Sequence, residues 1–376
     1  MAETAKNRDK YFTAWCFYVQ PWGTDPYLGK TVSFTEKMHH ITSFGAMVRT
    51  GELGHGKQIR AGSVRTAITS IAQTIALDRG ETPLHNKLGE YHAPLNLMLD
   101  GFKKEDPPSE KKLAVGIDIP EYCCEQGFKS KTAKGLAIGD LIIIAFYFLL
   151  RIGEYTVKRT KNDTKRTVQF RMMDVVFFKK DKHGRLRQLK HDATDKQIMR
   201  ADGATLRLSD QKNGHKGACI HQEHNGHKYF SPVRAIGRRY CHIRQHTKDP
   251  EAFLSAYFES PGNKLDVNDN DIRRALKVAA VAKNYESFRG IPVSRIDTHS
   301  LRAGGANALH LSGYSDREIQ KTGRWRSDTF KEYISEQLSS FTKGMSTAMR
   351  TRFNFVNVDG GVLRDITKRC INSLSN

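Results

Sequence analysis

The chain has 376 residues, more than a single core usually organises, so two domains are expected. Its 61 lysines and arginines against 40 aspartates and glutamates give a formal charge of +21, distributed along the whole length and not gathered in one tail. Such a surface attracts polyanions, nucleic acid first because neutralised phosphates release counterions, with an anionic membrane surface or plain solubility as the other sources of the same charge. Six cysteines, including the adjacent Cys123 and Cys124, lack the spacing of a disulfide framework, and the start MAETAKNRDK has no apolar signal core. The most apolar run, Leu141 to Leu150, is about half of the roughly 20 residues that span a bilayer. The expectation is a soluble intracellular protein in a reducing compartment, with no membrane contact.

An irregular, aromatic-rich start (Tyr11 to Tyr27) precedes a group of helices from Phe34 to about Lys103. The clearest helix takes Ser63 as its N-cap and sets Val64, Ala67, Ile68, Ile71, Ala72 and Ile75 on one face, which marks that face as core. Lys57, Arg60 and Arg65 surround the helix start, where basic side chains and exposed N–H groups together suit a phosphate of DNA, although a solvated charged face has the same composition. The charged stretch from Lys103 to Lys112 carries Pro107-Pro108, which cannot continue a helix, and reads as an interdomain linker.

A second domain begins near Leu113 with helical segments up to Leu150, then turns to short strand-like runs: Val175 to Phe178, Leu186 to Leu189, Thr205 to Leu208 and Ala218 to His221. Asn213-Gly214, between the last two, is the strongest short hairpin signal in the chain. From Asp271 onward the pattern returns to helices, broken at Gly290 to Pro292 and at Gly313. The predicted fold is mostly α with a small antiparallel β-sheet, an α+β arrangement. The expected organisation is a helical domain over residues 1–104, a linker over 105–112, a second domain over 113–340 and a C-terminal extension over 341–376.

Three stretches carry the chemistry. The apolar helix ends in Leu150-Arg-Ile-Gly-Glu154; Thr298-His-Ser-Leu-Arg-Ala-Gly-Gly-Ala306 follows much later; then comes Gly323-Arg-Trp-Arg-Ser-Asp-Thr-Phe-Lys-Glu-Tyr333. Taken in order, Arg…Lys…His-x-x-Arg…Trp…Tyr resembles the active site of the tyrosine recombinase (phage integrase) family, over about Leu113 to Ser340. The flanking stretches Gly56-Lys-Gln-Ile-Arg-Ala-Gly-Ser-Val-Arg65 and Ser231-Pro-Val-Arg-Ala-Ile236 look like recombinases of eukaryotic mobile elements of the Crypton type.

The resemblance implies a site-specific DNA recombinase with an N-terminal DNA-binding domain and a catalytic domain that close on duplex DNA as a clamp. Tyr333 would be the nucleophile. Attack of its hydroxyl on a phosphodiester loads negative charge onto the non-bridging oxygens, and the planar forks of Arg151 and Arg302 match those oxygens. His299, one helical turn before Arg302, would bind the phosphate or move a proton, and Trp325 would donate its indole N–H. Tyr333 lies eight positions after Trp325, one fewer than in bacterial and phage members, which implies a tighter turn. Lys212, just before Asn213-Gly214, would protonate the departing 5′ oxygen; Lys216, after the turn, is the other lysine in reach and otherwise a DNA contact. Glu154 would brace Arg151, and the small residues Ala303 to Ala306 let their helix approach another backbone.

A 3′-phosphotyrosyl bond conserves the phosphodiester energy, so no cofactor is implied. The partners would be double-stranded DNA and a homo-tetramer on synapsed DNA, monomeric or dimeric when free, with residues 341–376 docking on a neighbour. The expected location is the nucleus for a eukaryotic mobile element and the cytoplasmic nucleoid otherwise. A catalytically inactive DNA-binding protein on the same fold, or a type IB topoisomerase-like nicking-closing enzyme, are the alternatives. Cys219, His221, His224 and His227, with His215, match no zinc spacing, and no metal is expected.

Overall fold

The computed structural model describes residues 2–53, 56–108, 112–157, 168–209, 217–325 and 331. They are mostly helical, with one four-stranded antiparallel sheet and one two-stranded ribbon. The chain divides into two compact units, Met1–Glu110 and Lys111–Arg159 with Thr167–Asn376. Among the described residues no helix is long and apolar enough to cross a membrane.

The first unit contains α1 (Ala2–Val19), α2 (Phe34–Thr50), α3 (Ala61–Arg79) and α4 (Ala93–Glu105). The aromatic start is helical, contrary to the sequence expectation. Tyr11, Trp15 and Val19 recur at four-residue spacing and are buried in the unit's core, where Trp15 meets Phe44 edge-on at 5.4 Å. Its indole N–H donates to Pro26 O at 2.8 Å, so the one polar atom of a fully buried ring is satisfied. All six apolar residues assigned to one face of α3 are buried, but the helix begins two residues before Ser63 and its N-cap is Arg60.

The second unit is organised around α6 (Ala133–Tyr147), which packs against α5 (Asp118–Ser130) and is buried from Leu141 to Phe146 without a break. The sequence shows why: a helix apolar all round belongs in the middle of a core. After α7 (Ile152–Tyr155) come β1 (Val175–Lys180), β2 (Leu186–Gln188), α8 (Asp195–Ile198), β3 (Gly203–Arg207) and β4 (Cys219–Glu223). The strands lie in the order β2-β1-β3-β4. The β3–β4 pairing holds Arg207 opposite Cys219 and ends in a β-bulge, where Leu208 exchanges bonds with both Gly217 and Ala218 at 2.8 Å. Gly217 adopts φ +74°, the left-handed conformation that such a bulge needs.

The sequence places no helix between the sheet and Asp271, yet α9 (Pro232–His246) lies in that interval, starting after Ser231 with proline at its first position. The ribbon β5 (Ala256–Phe258) and β6 (Lys264–Asp266) follows, then α10 (Asp269–Ala282), α11 (Tyr285–Arg289), α12 (Thr298–Leu311) and α13 (Asp316–Gly323). An ion pair between the buried Asp140 of α6 and the partly exposed Arg238 of α9, at 2.6 Å, joins the central helix to α9.

Candidate active site

Arg151 is positioned by the way α6 ends. Leu149 takes φ +50°, uncommon for a residue with a branched side chain, and Leu150 N–H closes onto Ala145 O at 3.0 Å. The chain therefore leaves the helix abruptly, and Arg151 becomes the N-cap of the one-turn α7. Its backbone N–H donates to Glu154 Oε2 at 2.9 Å and its Nη1 to Glu154 Oε1 at 3.3 Å. Glu154 has no solvent exposure, whereas the Arg151 side chain is a quarter exposed. The bracing expected of Glu154 is present in the geometry.

His299 and Arg302 sit one turn apart on α12, whose start is tied by Asp297: its carboxylate accepts from Thr298 N–H at 2.6 Å, and its own N–H donates to Ser300 Oγ at 3.0 Å. The glycines of Ala303 to Ala306 do what their size predicts. A Cβ on Gly304 would collide with Val115 O and one on Gly305 with Phe146 O, so α12 lies directly on the Val115 backbone and on the end of α6, which leads into Arg151. His299 has its pKa lowered, first by desolvation from the protein packed around it, then by Arg302 and Arg151, with Asp297 acting in the opposite sense. Both guanidiniums thus act on one imidazole, although they lie 151 positions apart in the chain.

The third segment is Gly323-Arg324-Trp325. Arg302 Nη2 donates to Gly323 O, and its guanidinium lies under the Trp325 ring, 4.4 Å from the centroid. A Cβ on Gly323 would fall inside that ring, so glycine is required for tryptophan to lie there. Arg302 is only 2% exposed and has its cationic face against the indole. Between glycine and tryptophan stands Arg324, which sequence reasoning missed. It is buried at φ +59°, and its Nη1 and Nη2 reach Glu154 at 3.3 and 3.1 Å, while Nη2 also donates to Leu149 O at 3.0 Å. The Gly-Arg-Trp run was the only signal the sequence offered for it.

The structure therefore brings Arg151, His299, Arg302 and Trp325 together. Tyr333, Lys212 and Lys216 lie outside the described residues, as does the Asn213-Gly214 turn. On the near side of that turn, Ser209 is tied to Asp174 and accepts from Arg171 Nη2 at 3.1 Å, which fixes where the β3–β4 connection departs.

In the first unit, Lys57, Arg60 and Arg65 are exposed around the start of α3. One of the N–H groups there is already occupied: Ala61 N–H donates to Asp106 Oδ2 at 2.8 Å, and the buried Arg49 pairs with the same carboxylate. Against the desolvation of its position, the Ala61 N–H and Arg49 hold the Asp106 carboxyl below the usual range. Arg65 rests over the Tyr91 ring at 5.2 Å. The cluster of histidines has other partners: His221 Nδ1 bonds Thr205 Oγ1 and His224 Nδ1 bonds Ser231 Oγ, both at 2.8 Å, while His227 Nδ1 accepts from the N–H groups of Tyr229 and Phe230. Among the described residues no three histidine, cysteine or acidic side chains are placed to hold a metal ion together.

No family model and no curated protein matches the chain. Among solved structures it is similar to the XerH site-specific recombinase bound to a palindromic difH substrate in a post-cleavage complex, at 14% identity over 82% of this chain and 71% of that chain, with a TM-score of 0.47. It is also similar to the Tn1549 transposon integrase in complex with transposon right end DNA, at 11% identity over 82% of this chain and 84% of that one, with a TM-score of 0.42. A third similarity is to the XerA recombinase, at 14% identity over 92% of this chain and all of that one, with a TM-score of 0.37.

Proposed function

We propose that the protein is a tyrosine-type site-specific DNA recombinase that cleaves and rejoins DNA through a 3′-phosphotyrosyl intermediate. The observation that carries this reading is the meeting of three segments far apart in the chain: Arg151 and Arg324 share Glu154, and Arg302, one turn from His299, is held by Gly323 O and the Trp325 ring. Fixed cations suit a phosphodiester that gains negative charge under attack.

In this reading Tyr333 Oη attacks the scissile phosphorus, the bond to the 5′ oxygen breaks, and Lys212 or Lys216 gives that oxygen its proton. Arg151 and Arg302 bind the non-bridging oxygens. An unperturbed tyrosine hydroxyl, with a pKa near 10, is a weak nucleophile at neutral pH; the same arginines help it ionise, and its proton passes to His299 or to solvent. A 5′ hydroxyl from a second strand then attacks the phosphotyrosine, restoring a phosphodiester and the free tyrosine. Residues 1–104 would supply further backbone contacts through Lys57, Arg60 and Arg65. Synapsis would use four protomers, with residues 341–376 docking on a neighbour, in service of a mobile element, of the Crypton type and nuclear if the host is eukaryotic.

The test uses nicked suicide substrates carrying the flanks of the protein's own genomic locus. Wild type is expected to form a covalent protein–DNA species that Tyr333→Phe abolishes while retaining DNA binding. An adduct that survives Tyr333→Phe removes the nucleophile, and relaxation of plasmids lacking any target site replaces recombination with topoisomerase activity.

A further inference from the structure

We propose that Arg324 is a positioning residue that neutralises the buried Glu154 and so leaves the Arg151 guanidinium available for a phosphate. Glu154 carries one negative charge with no exposure to water, and a buried carboxylate needs a cation and hydrogen bonds. Two arginines reach it unequally. Arg324 approaches with both terminal nitrogens, at 3.1 and 3.3 Å, and is itself buried; Arg151 contributes one side-chain contact at 3.3 Å and keeps a quarter of its side chain exposed.

The backbone at Arg324 supports a retained side-chain role. It caps the C-terminus of α13 in the left-handed conformation, a position where glycine is the favoured residue and any other carries a steric cost. Glycine already stands next door at 323, where Trp325 requires it. An arginine in a conformation it adopts reluctantly, with its guanidinium buried on Glu154 and on Leu149 O, points to a function for that guanidinium. Without Arg324, Glu154 keeps Arg151 as its cation among the described residues, and Arg151 is drawn inward to pair with it through both nitrogens.

The kinetic half of this inference rests on the proposed recombinase activity; the placement of Arg151 does not. Two measurements on the full chain separate them. Single-turnover cleavage of the suicide substrate at saturating DNA should slow about tenfold in Arg324→Met, with DNA affinity within about twofold of wild type, a coupling ordinary for residues sharing one network. Labelling of Arg151 by phenylglyoxal, followed by mass spectrometry, should slow in the same variant, because the guanidinium is now engaged by Glu154. Adding Glu154→Gln removes the unbalanced charge and should recover both quantities, which loss of packing alone would not produce. Unchanged Arg151 labelling in a folded Arg324→Met protein, or a double variant no better than the single, overturns the proposal. Should Arg324→Met not fold, the uncharged Arg324→Gln replaces it: slower labelling recovered by Glu154→Gln supports the inference, and unchanged labelling overturns it. A wild type that forms no adduct yet shows the labelling pattern would remove the recombinase reading and leave the role of Arg324 standing.

Discussion

The two units each gather basic side chains near the start of a helix, under opposite conditions of burial. At α3, Lys57, Arg60 and Arg65 stand in water while the inward position is closed by Asp106 and Arg49. Beside α12, Arg302 of that helix and Arg324 at the end of α13 are inside the protein, held by carbonyls, an indole and one buried carboxylate, and Arg151 is partly so. Exposed cations contribute charge with little fixed geometry, whereas buried ones have their geometry imposed and are costly to leave unpaired. A nonspecific hold on a polyanion needs only the first arrangement; chemistry on one phosphate needs the second.

That contrast can be broken from either side. The largest effect is expected in the second unit: Glu154→Ala leaves Arg151 and Arg324 without their shared counter-charge, and chemical denaturation should show a loss of about 3–5 kcal/mol, the usual consequence of removing one partner of a buried pair. A loss no larger than a surface substitution causes would mean that Glu154 does not organise the site. In the first unit, Lys57→Ala, Arg60→Ala and Arg65→Ala combined should leave the unfolding midpoint unchanged. They should instead flatten the dependence of DNA affinity on salt, by about 0.9 in the log–log slope for each phosphate that is no longer neutralised. An unchanged slope would place the α3 start away from the DNA.

The smallest effect concerns His299. Its pKa is lowered by desolvation and by Arg302 and Arg151, so the free protein favours neutral imidazole below the pH at which an ordinary histidine would be charged. A bound phosphate favours the protonated form, so the imidazole takes up a proton when DNA binds. DNA affinity should therefore rise as pH falls below the ordinary histidine range, by at most about tenfold per pH unit for one proton, and His299→Asn should flatten the curve. Anisotropy titrations at fixed salt measure it; identical slopes in both proteins would take His299 out of contact with the phosphate.

What sequence could show follows from how local each feature is. The buried face of α3 is legible because six apolar residues repeat at the helical period, and the strands of the sheet are legible as short β-rich runs bounded by turns. Arg151 and Glu154 are three apart on one turn, so their pairing is nearly a local property. The helix α1 is obscured because aromatic residues are indifferent helix formers, and only the spacing of Tyr11, Trp15 and Val19 betrays it. Asp106 sits before two prolines and looks like linker, since its partner N–H is 45 residues away. Arg324 is hidden for a stronger reason: its role depends on a left-handed backbone that nothing in Gly-Arg-Trp specifies and on a carboxylate 170 residues earlier.

That last separation also governs when the site can exist. The sheet, α6 and the α7 turn are complete in sequence long before residue 324, so a chain emerging from the ribosome has Glu154 ready to be enclosed while its principal counter-charge is still unsynthesised. Closing a loop of that length delays the contact relative to the hairpins and helix pairs around it. The cluster around Glu154 is then among the last parts of the second unit to assemble. In native-state hydrogen exchange, the amides around Arg324 should open at lower free energy than those of α6, so that the scaffold outlives the centre it supports.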